Sequence, residues 1–105
     1  MFRASLVCAA ALALAACASV KSPSATARGH EIARQDCGAC HAVEPGAASP
    51  NPRAPGFATQ EMRHTAGLEG RLEALTRTGH YDMPPVKLSP AEVRDLLAYI
   101  QGPER

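Results

Sequence analysis

The sequence predicts a small all-α domain, and three observations carry the prediction. Leu68, Leu72 and Leu75 recur at helical spacing within residues 67–78. Residues 89–101 read as an amphipathic helix with both ends marked in the sequence. Nowhere does the chain alternate apolar and polar residues in the way a half-buried strand requires. With 105 residues there is room for one small domain and no more.

Residues 1–16 read as a secretion signal, Arg3 preceding an apolar Ala/Leu/Val run. From Ala4 to Ala16 that run falls short of the roughly 20 residues a transmembrane helix needs. Cys8 lies inside the signal and leaves with it. Cys17 closes Leu14-Ala15-Ala16-Cys17, which resembles the lipobox of bacterial lipoproteins. The resemblance implies cleavage before Cys17 and acylation of its thiol, so that acyl chains hold a folded domain at a bilayer. The alternative is ordinary cleavage at the Ala16-Cys17-Ala18 pattern. Residues 17–27 then form the anchoring cysteine and a small, polar, proline-containing tether, and the folded domain occupies 28–105.

Within that domain, residues 28–41 suggest a first helix, though Ile32 and Ala33 are its only apolar signal. Residues 45–56 hold four prolines and are excluded from helix and central strand. Such a segment is an ordered loop if something large packs beneath it, and Phe57 at its end argues for docking. Over 67–78 the leucines mark a helix that Gly79 ends. The last helix has Ser89 as N-cap, Pro90 at the first helical position and Glu92 completing a capping box. Val93, Leu96, Leu97 and Ile100 share one face, and Gly102-Pro103 stops the helix.

Such a domain has little with which to fill its core. Past the signal, the aromatic residues are Phe57, Tyr81 and Tyr99, and there is no tryptophan. Nine prolines and eight glycines thin the regular structure further. A core this poor needs a disulfide, a metal or a bound group to supplement it.

Charge narrows the function classes. Eleven Lys/Arg face ten Asp/Glu, and the two signs alternate along the chain. No basic stripe appears, which excludes nucleic acid as a partner. No Ser/His/Asp grouping, phosphate loop or paired acid suggests hydrolytic or transfer chemistry. Glu69 and Glu73, four apart on a helix, read as a solvated face.

The chemistry concentrates in Cys37-Gly38-Ala39-Cys40-His41, a C-x-x-C-H run that reads as c-type haem attachment. On a helix, positions i, i+3 and i+4 share a face, so both sulfurs and the imidazole can address one planar ring. Cys37 and Cys40 would form thioethers to the vinyl groups while His41 Nε2 takes an axial site on iron. A redox dithiol would be expected in a βαβ setting. A zinc site would need two more ligands, for which His64 and His80 are available. For the opposite axial site, Met83 is the leading donor, in a loop stiffened by Pro84 and Pro85. His80, His64 and Met62 are its rivals, His80 the closest of them in sequence.

With C-x-x-C-H, a proline-rich loop, Met83-Pro84 and a closing amphipathic helix, residues 28–102 resemble bacterial class I cytochrome c. The resemblance implies three to five helices wrapped around one covalent haem c, ligated by His41 and Met83 and tethered through Cys37 and Cys40. It implies that the carbonyl of Pro55, or of nearby Pro52, accepts the Nδ1–H of His41, and that Phe57 packs on the porphyrin. Gly29, eight residues before Cys37, would let the first helix cross the last one closely at Tyr99. Ala33 departs from the aromatic common at its position, which bears on how tightly those helices meet.

The expected protein is not an enzyme but a membrane-tethered, mono-haem electron carrier. It would face the periplasm and work as a monomer with redox protein partners, free-standing or as an accessory haem protein of a larger oxidoreductase. Soluble periplasmic location is the alternative if Cys17 is not acylated. A haem-based gas or redox sensor, with the distal ligand displaceable or absent, is the alternative function.

Overall fold

A computed structural model describes residues 21–102 except 67 and 69. The signal, Cys8 and Cys17 lie outside the described residues. Among the described residues four α-helices follow one another: α1 (Ala25–Ile32), α2 (Gln60–His64), α3 (Arg71–Thr78) and α4 (Pro90–Ile100). Among the described residues the only β-type pairing is an isolated bridge between His80 and Met83. The all-α prediction holds.

The first helix begins earlier than position 28, where the sequence reading placed the start of the domain. The Ser24 side chain accepts a hydrogen bond from the amide of Ala27 at 3.1 Å and caps α1. One turn on, Arg28 donates to Asp95 at 2.8 and 2.9 Å and to the Pro23 carbonyl at 2.5 Å. Residues 24–27 are therefore part of the folded domain.

Packing of α1 against α4 is the most extensive helix contact among the described residues. It depends on Gly29. A Cβ built there would lie 1.9 Å from the Asp95 carbonyl oxygen, so the two backbones touch where any side chain would hold them apart. Ala33, Leu96 and Ile100 are fully buried beside the crossing. The small side chain at Ala33 does not loosen it.

Tyr99 lies one turn beyond this contact and is only 3% exposed. Its hydroxyl donates to the Val43 carbonyl at 2.6 Å, and its ring stacks on His30 with centroids 4.8 Å apart. His30 in turn pairs with Glu44. These contacts bind α1, α4 and the segment just after the C-x-x-C-H motif into one unit.

The last helix follows its sequence signals. Ser89 accepts from the Glu92 amide at 3.1 Å, Pro90 occupies the first turn, and Val93, Leu96, Tyr99 and Ile100 are buried. At α3 the structure departs from the reading. The helix begins at Arg71, because Gly70 at φ +79° leaves the helical region. Leu68 therefore sits in the preceding turn, 51% exposed, while Leu72 is buried and Thr76 takes the next buried position on that face. Gly79 ends the helix as expected, its amide bonded to the Leu75 carbonyl at 2.8 Å.

Helix α2 was not foreseen. It is five residues long and carries a single buried apolar side chain, Met62, so periodicity could not reveal it. Thr59 caps it by accepting from the Met62 amide at 3.2 Å. Arg63 donates to the Gly102 carbonyl at 2.7 Å and its own carbonyl accepts from Gln101 at 2.9 Å, which ties α2 to the end of α4.

Candidate functional site

The C-x-x-C-H motif begins where α1 changes pitch. Residues Ala33–Cys37 continue α1 as a π-helical turn, the wider winding that often marks a functional site. The motif itself leaves the helix in a turn. The Cys37 carbonyl accepts from the amides of both Cys40 (3.2 Å) and His41 (3.0 Å). One helical-type bond thus survives between Cys37 and His41, and it preserves the i, i+4 neighbourhood expected of a continuous helix.

Past the motif the chain folds back on itself. The Asn51 amide donates to the Cys40 carbonyl at 3.1 Å, the Phe57 amide to the Ala42 carbonyl at 2.9 Å, and the Ala42 amide to Ser49 Oγ at 2.9 Å. These bonds give the proline-rich segment 45–56 a defined path over Cys40 and His41. At its end His41 Nδ1 lies 2.8 Å from the Pro55 carbonyl oxygen. Of the two prolines considered, Pro55 rather than Pro52 is the one joined to His41. With Nδ1 donating to that carbonyl, Nε2 is the ring nitrogen left available. Phe57 is 3% exposed, its ring centroid 5.2 Å from that of His41 at a 57° tilt.

Two adjoining cavities open beside His41. One, of about 540 Å³, is lined by Cys40, His41, Pro55 and the 80–83 segment. The other, of about 290 Å³, is lined by Cys37, His41, Phe57 and Met62, by Leu72 and Leu75 of α3, by Leu96 of α4, and again by His80 and Met83. His41, Arg53, Pro55, His80, Tyr81 and Met83 border both, so the two are halves of one crevice. The structure therefore brings Cys37, Cys40, His41, Pro55, Phe57 and Met83 to the walls of one space. Cys17 lies outside the described residues.

Rival readings of the site fare unevenly. Met62 borders the smaller cavity from within the core. His64 is exposed at the end of α2 and borders neither cavity, so it drops out as a ligand candidate. His80 borders both and stays in contention with Met83. Among the described residues no three His, Cys, Asp or Glu side chains converge on a metal-sized site, so the zinc set is not assembled. Burial, reinforced by the negative charge of Asp36 and by Cys40, pushes the Cys37 thiol up to about 11. Reactive C-x-x-C dithiols have the opposite shift, toward an easily formed thiolate. The burial of Cys37 favours its protonated thiol over the thiolate that disulfide exchange needs.

The residues present fit a covalently held haem. Two free cysteine thiols stand on the crevice wall beside an imidazole already oriented through Nδ1, and Phe57, Met62, Leu72, Leu75 and Leu96 supply apolar lining, with Asn51, Arg53, Glu61 and Arg71 also on the walls. The combined space falls in the range of about 300–1,000 Å³ usual for bound organic groups.

Fold and crevice together define a c-type cytochrome domain. The family whose sequence model matches residues 24–100 is described as cytochrome C oxidase, cbb3-type, subunit III, and the chain belongs to it. The match starts at Ser24, the residue that caps α1. No curated protein and no solved structure matches the chain significantly. Among the described residues no helix is long and apolar enough to cross a membrane.

One contributor to the site was missed from the sequence. Arg53 borders both halves of the crevice and reaches Asp82, the neighbour of Met83, at 3.2 Å. An isolated arginine in a loop and an aspartate 29 residues later carry no sequence signal of being partners.

Proposed function

We propose that the chain is a periplasm-facing, membrane-tethered, mono-haem cytochrome c that carries single electrons between redox protein partners. The observation that carries this reading is the His41 Nδ1 contact with the Pro55 carbonyl, because it prepares Nε2 as a metal ligand at the wall of a crevice bearing two free thiols. A bound haem supplies a one-electron Fe(III)/Fe(II) couple. Cys37 and Cys40 would hold it through thioethers, and His41 and Met83 would ligate its iron. Pro55 fixes the imidazole tautomer and raises its basicity, and Phe57 keeps water from the ring face beside His41. Methionine opposite histidine raises the potential relative to a harder ligand.

With both His41 and Met83 engaged on the iron no ligand place would remain for a substrate, so the domain would serve as a carrier and not as an enzyme. The family description supports a partner of the oxidase type, for which this chain would be an electron-delivering haem protein. Cys17, acylated, would hold it at the bilayer through the residues that precede Ser24.

The test is the intact mass of the full chain, matured in a host with cytochrome assembly and recovered from membranes. We expect a chain starting at Cys17 that carries one covalent haem and acyl groups. The reduced protein should be low-spin and unreactive toward carbon monoxide. A colourless, folded product would overturn the haem assignment. A haem-loaded product without acyl groups would overturn the anchor alone.

A further inference from the structure

We propose that His80 is a second distal ligand, which replaces Met83 on oxidation and yields to it on reduction. This rests on the haem reading above and extends it. The two donors terminate a single short turn: the His80 amide bonds to the Met83 carbonyl at 3.2 Å, and the Met83 amide to the His80 carbonyl at 2.8 Å. Both residues border both halves of the crevice that His41 borders. One turn therefore brings both residues to the crevice that His41 borders, Met83 half-buried and His80 exposed.

The turn is anchored at its feet and loose at its tip. Upstream, the Gly79 amide is bonded to Leu75 at 2.8 Å, and downstream the Val86 amide to Thr76 at 2.7 Å, so α3 holds both ends. Gly79 sits at φ +70°, where a Cβ would come within 2.5 Å of the Met83 carbonyl, and only glycine lets the chain enter the turn this closely. Between the donors, Tyr81 adopts φ +48°, a left-handed conformation unfavourable for a bulky residue, and is 99% exposed. The remaining side-chain ties are the exposed Asp82–Arg53 pair at 3.2 Å and a tilted ring contact between His80 and Tyr81. An exposed pair of this kind holds little. Strain at the tip and firm anchors at the feet describe a segment that can exchange one end for the other without unseating α3.

Linkage fixes the direction of the exchange. A thioether ligand raises the potential relative to an imidazole, so it favours the reduced iron. By reciprocity, oxidation shifts the choice of ligand toward imidazole by the same free energy. Each tenfold change in the His80-to-Met83 ratio between the two oxidation states corresponds to about 59 mV between the two couples. No oxidant or reductant beyond the carrier's own electron transfer is required.

The experiment compares full-length holoprotein with its His80→Ala, His80→Gln and Met83→Ala variants by spectroelectrochemistry, electron paramagnetic resonance and voltammetry at increasing scan rate. The oxidised wild type is expected to show a bis-histidine resonance signal, with the long-wavelength methionine–iron band about tenfold weaker than in His80→Ala. Reduced wild type should show the shifted methyl resonance of a ligated methionine. Fast scans should resolve two couples in wild type and one in His80→Ala and His80→Gln. Met83→Ala should remain low-spin when oxidised, through His80. Equal methionine bands and a single couple in wild type and His80→Ala would overturn the exchange while leaving the carrier intact. Absence of covalent haem from the wild type would remove the reading beneath it, and the exchange with it.

Discussion

Gly29 lies so close to Asp95 that a Cβ on the glycine would stand 1.9 Å from the aspartate's carbonyl oxygen and 2.5 Å from its carbonyl carbon. The contact is backbone to backbone, so no rotamer change can relieve it. Gly29→Ala must separate α1 from α4. The gain of up to about 1 kcal/mol in helix propensity is outweighed by an overpacking cost of about 1–3 kcal/mol or more. The expected outcome is a thermal midpoint lower by several degrees, read by circular dichroism on the holoprotein.

The Tyr99 hydroxyl donates to Val43 from a buried position, and its loss leaves that carbonyl without this donor. Tyr99→Phe retains the ring stacked on His30 and removes the hydrogen bond alone. We expect a loss of about 1–2 kcal/mol in chemical denaturation. Tyr99→Ala, which also opens a cavity, should cost about 3–5 kcal/mol. Equal costs would show that the hydroxyl, not the ring, fastens α4 to the segment after the motif.

Acid should weaken the join between α1 and α4. The hydrogen bond from Arg28 holds the Asp95 carboxyl below the usual carboxylate range; burial opposes it less strongly, and the charges of Arg28 and Arg94 add smaller effects in the same downward direction. Arg28 is raised in return, first by its bond to Asp95, and stays charged throughout. A depressed carboxyl contributes stability that is fully present above its unfolded value, near 4, and is lost as pH falls through the lower folded value. Denaturation of wild type and Asp95→Asn at pH 7 and at successive values below 4 should show their difference shrinking in the acid range. A difference constant across that range would exclude the pair as its source.

The Phe57 ring lies against His41, and it is buried. Phe57→Ala should destabilise the domain by about 3–5 kcal/mol, a large share of what a domain this small possesses. Phe57→Leu, closer in volume, should recover most of that loss in the same denaturation experiment.

The parts of the molecule legible in the sequence are those set by local chemistry. Ser89, Pro90 and Glu92 marked the start of α4, and its buried face followed from a 3.6-residue period. The end of α3 at Gly79 was legible for the same reason. Where local signals were weak the reading slipped. It placed Leu68 on a helical face, although Gly70 delays α3 until Arg71. It passed over α2, whose five residues bury one methionine, and it began α1 late because a serine cap within a polar stretch resembles a tether.

The candidate site divides along the same line. The amino-acid sequence alone placed two thiols and an imidazole within five residues and offered a methionine and a histidine for the far side, because spacing along a chain is a local property. Only the tertiary structure chose Pro55 over Pro52 as the neighbour of His41, removed His64 from the candidates, and seated His80 and Met83 together on the same crevice. It also joined Arg53 to Asp82. These relations link residues far apart in the chain, and their distances are set by how closely α1 and α4 pack at Gly29 and by how the proline-rich loop folds back over the motif.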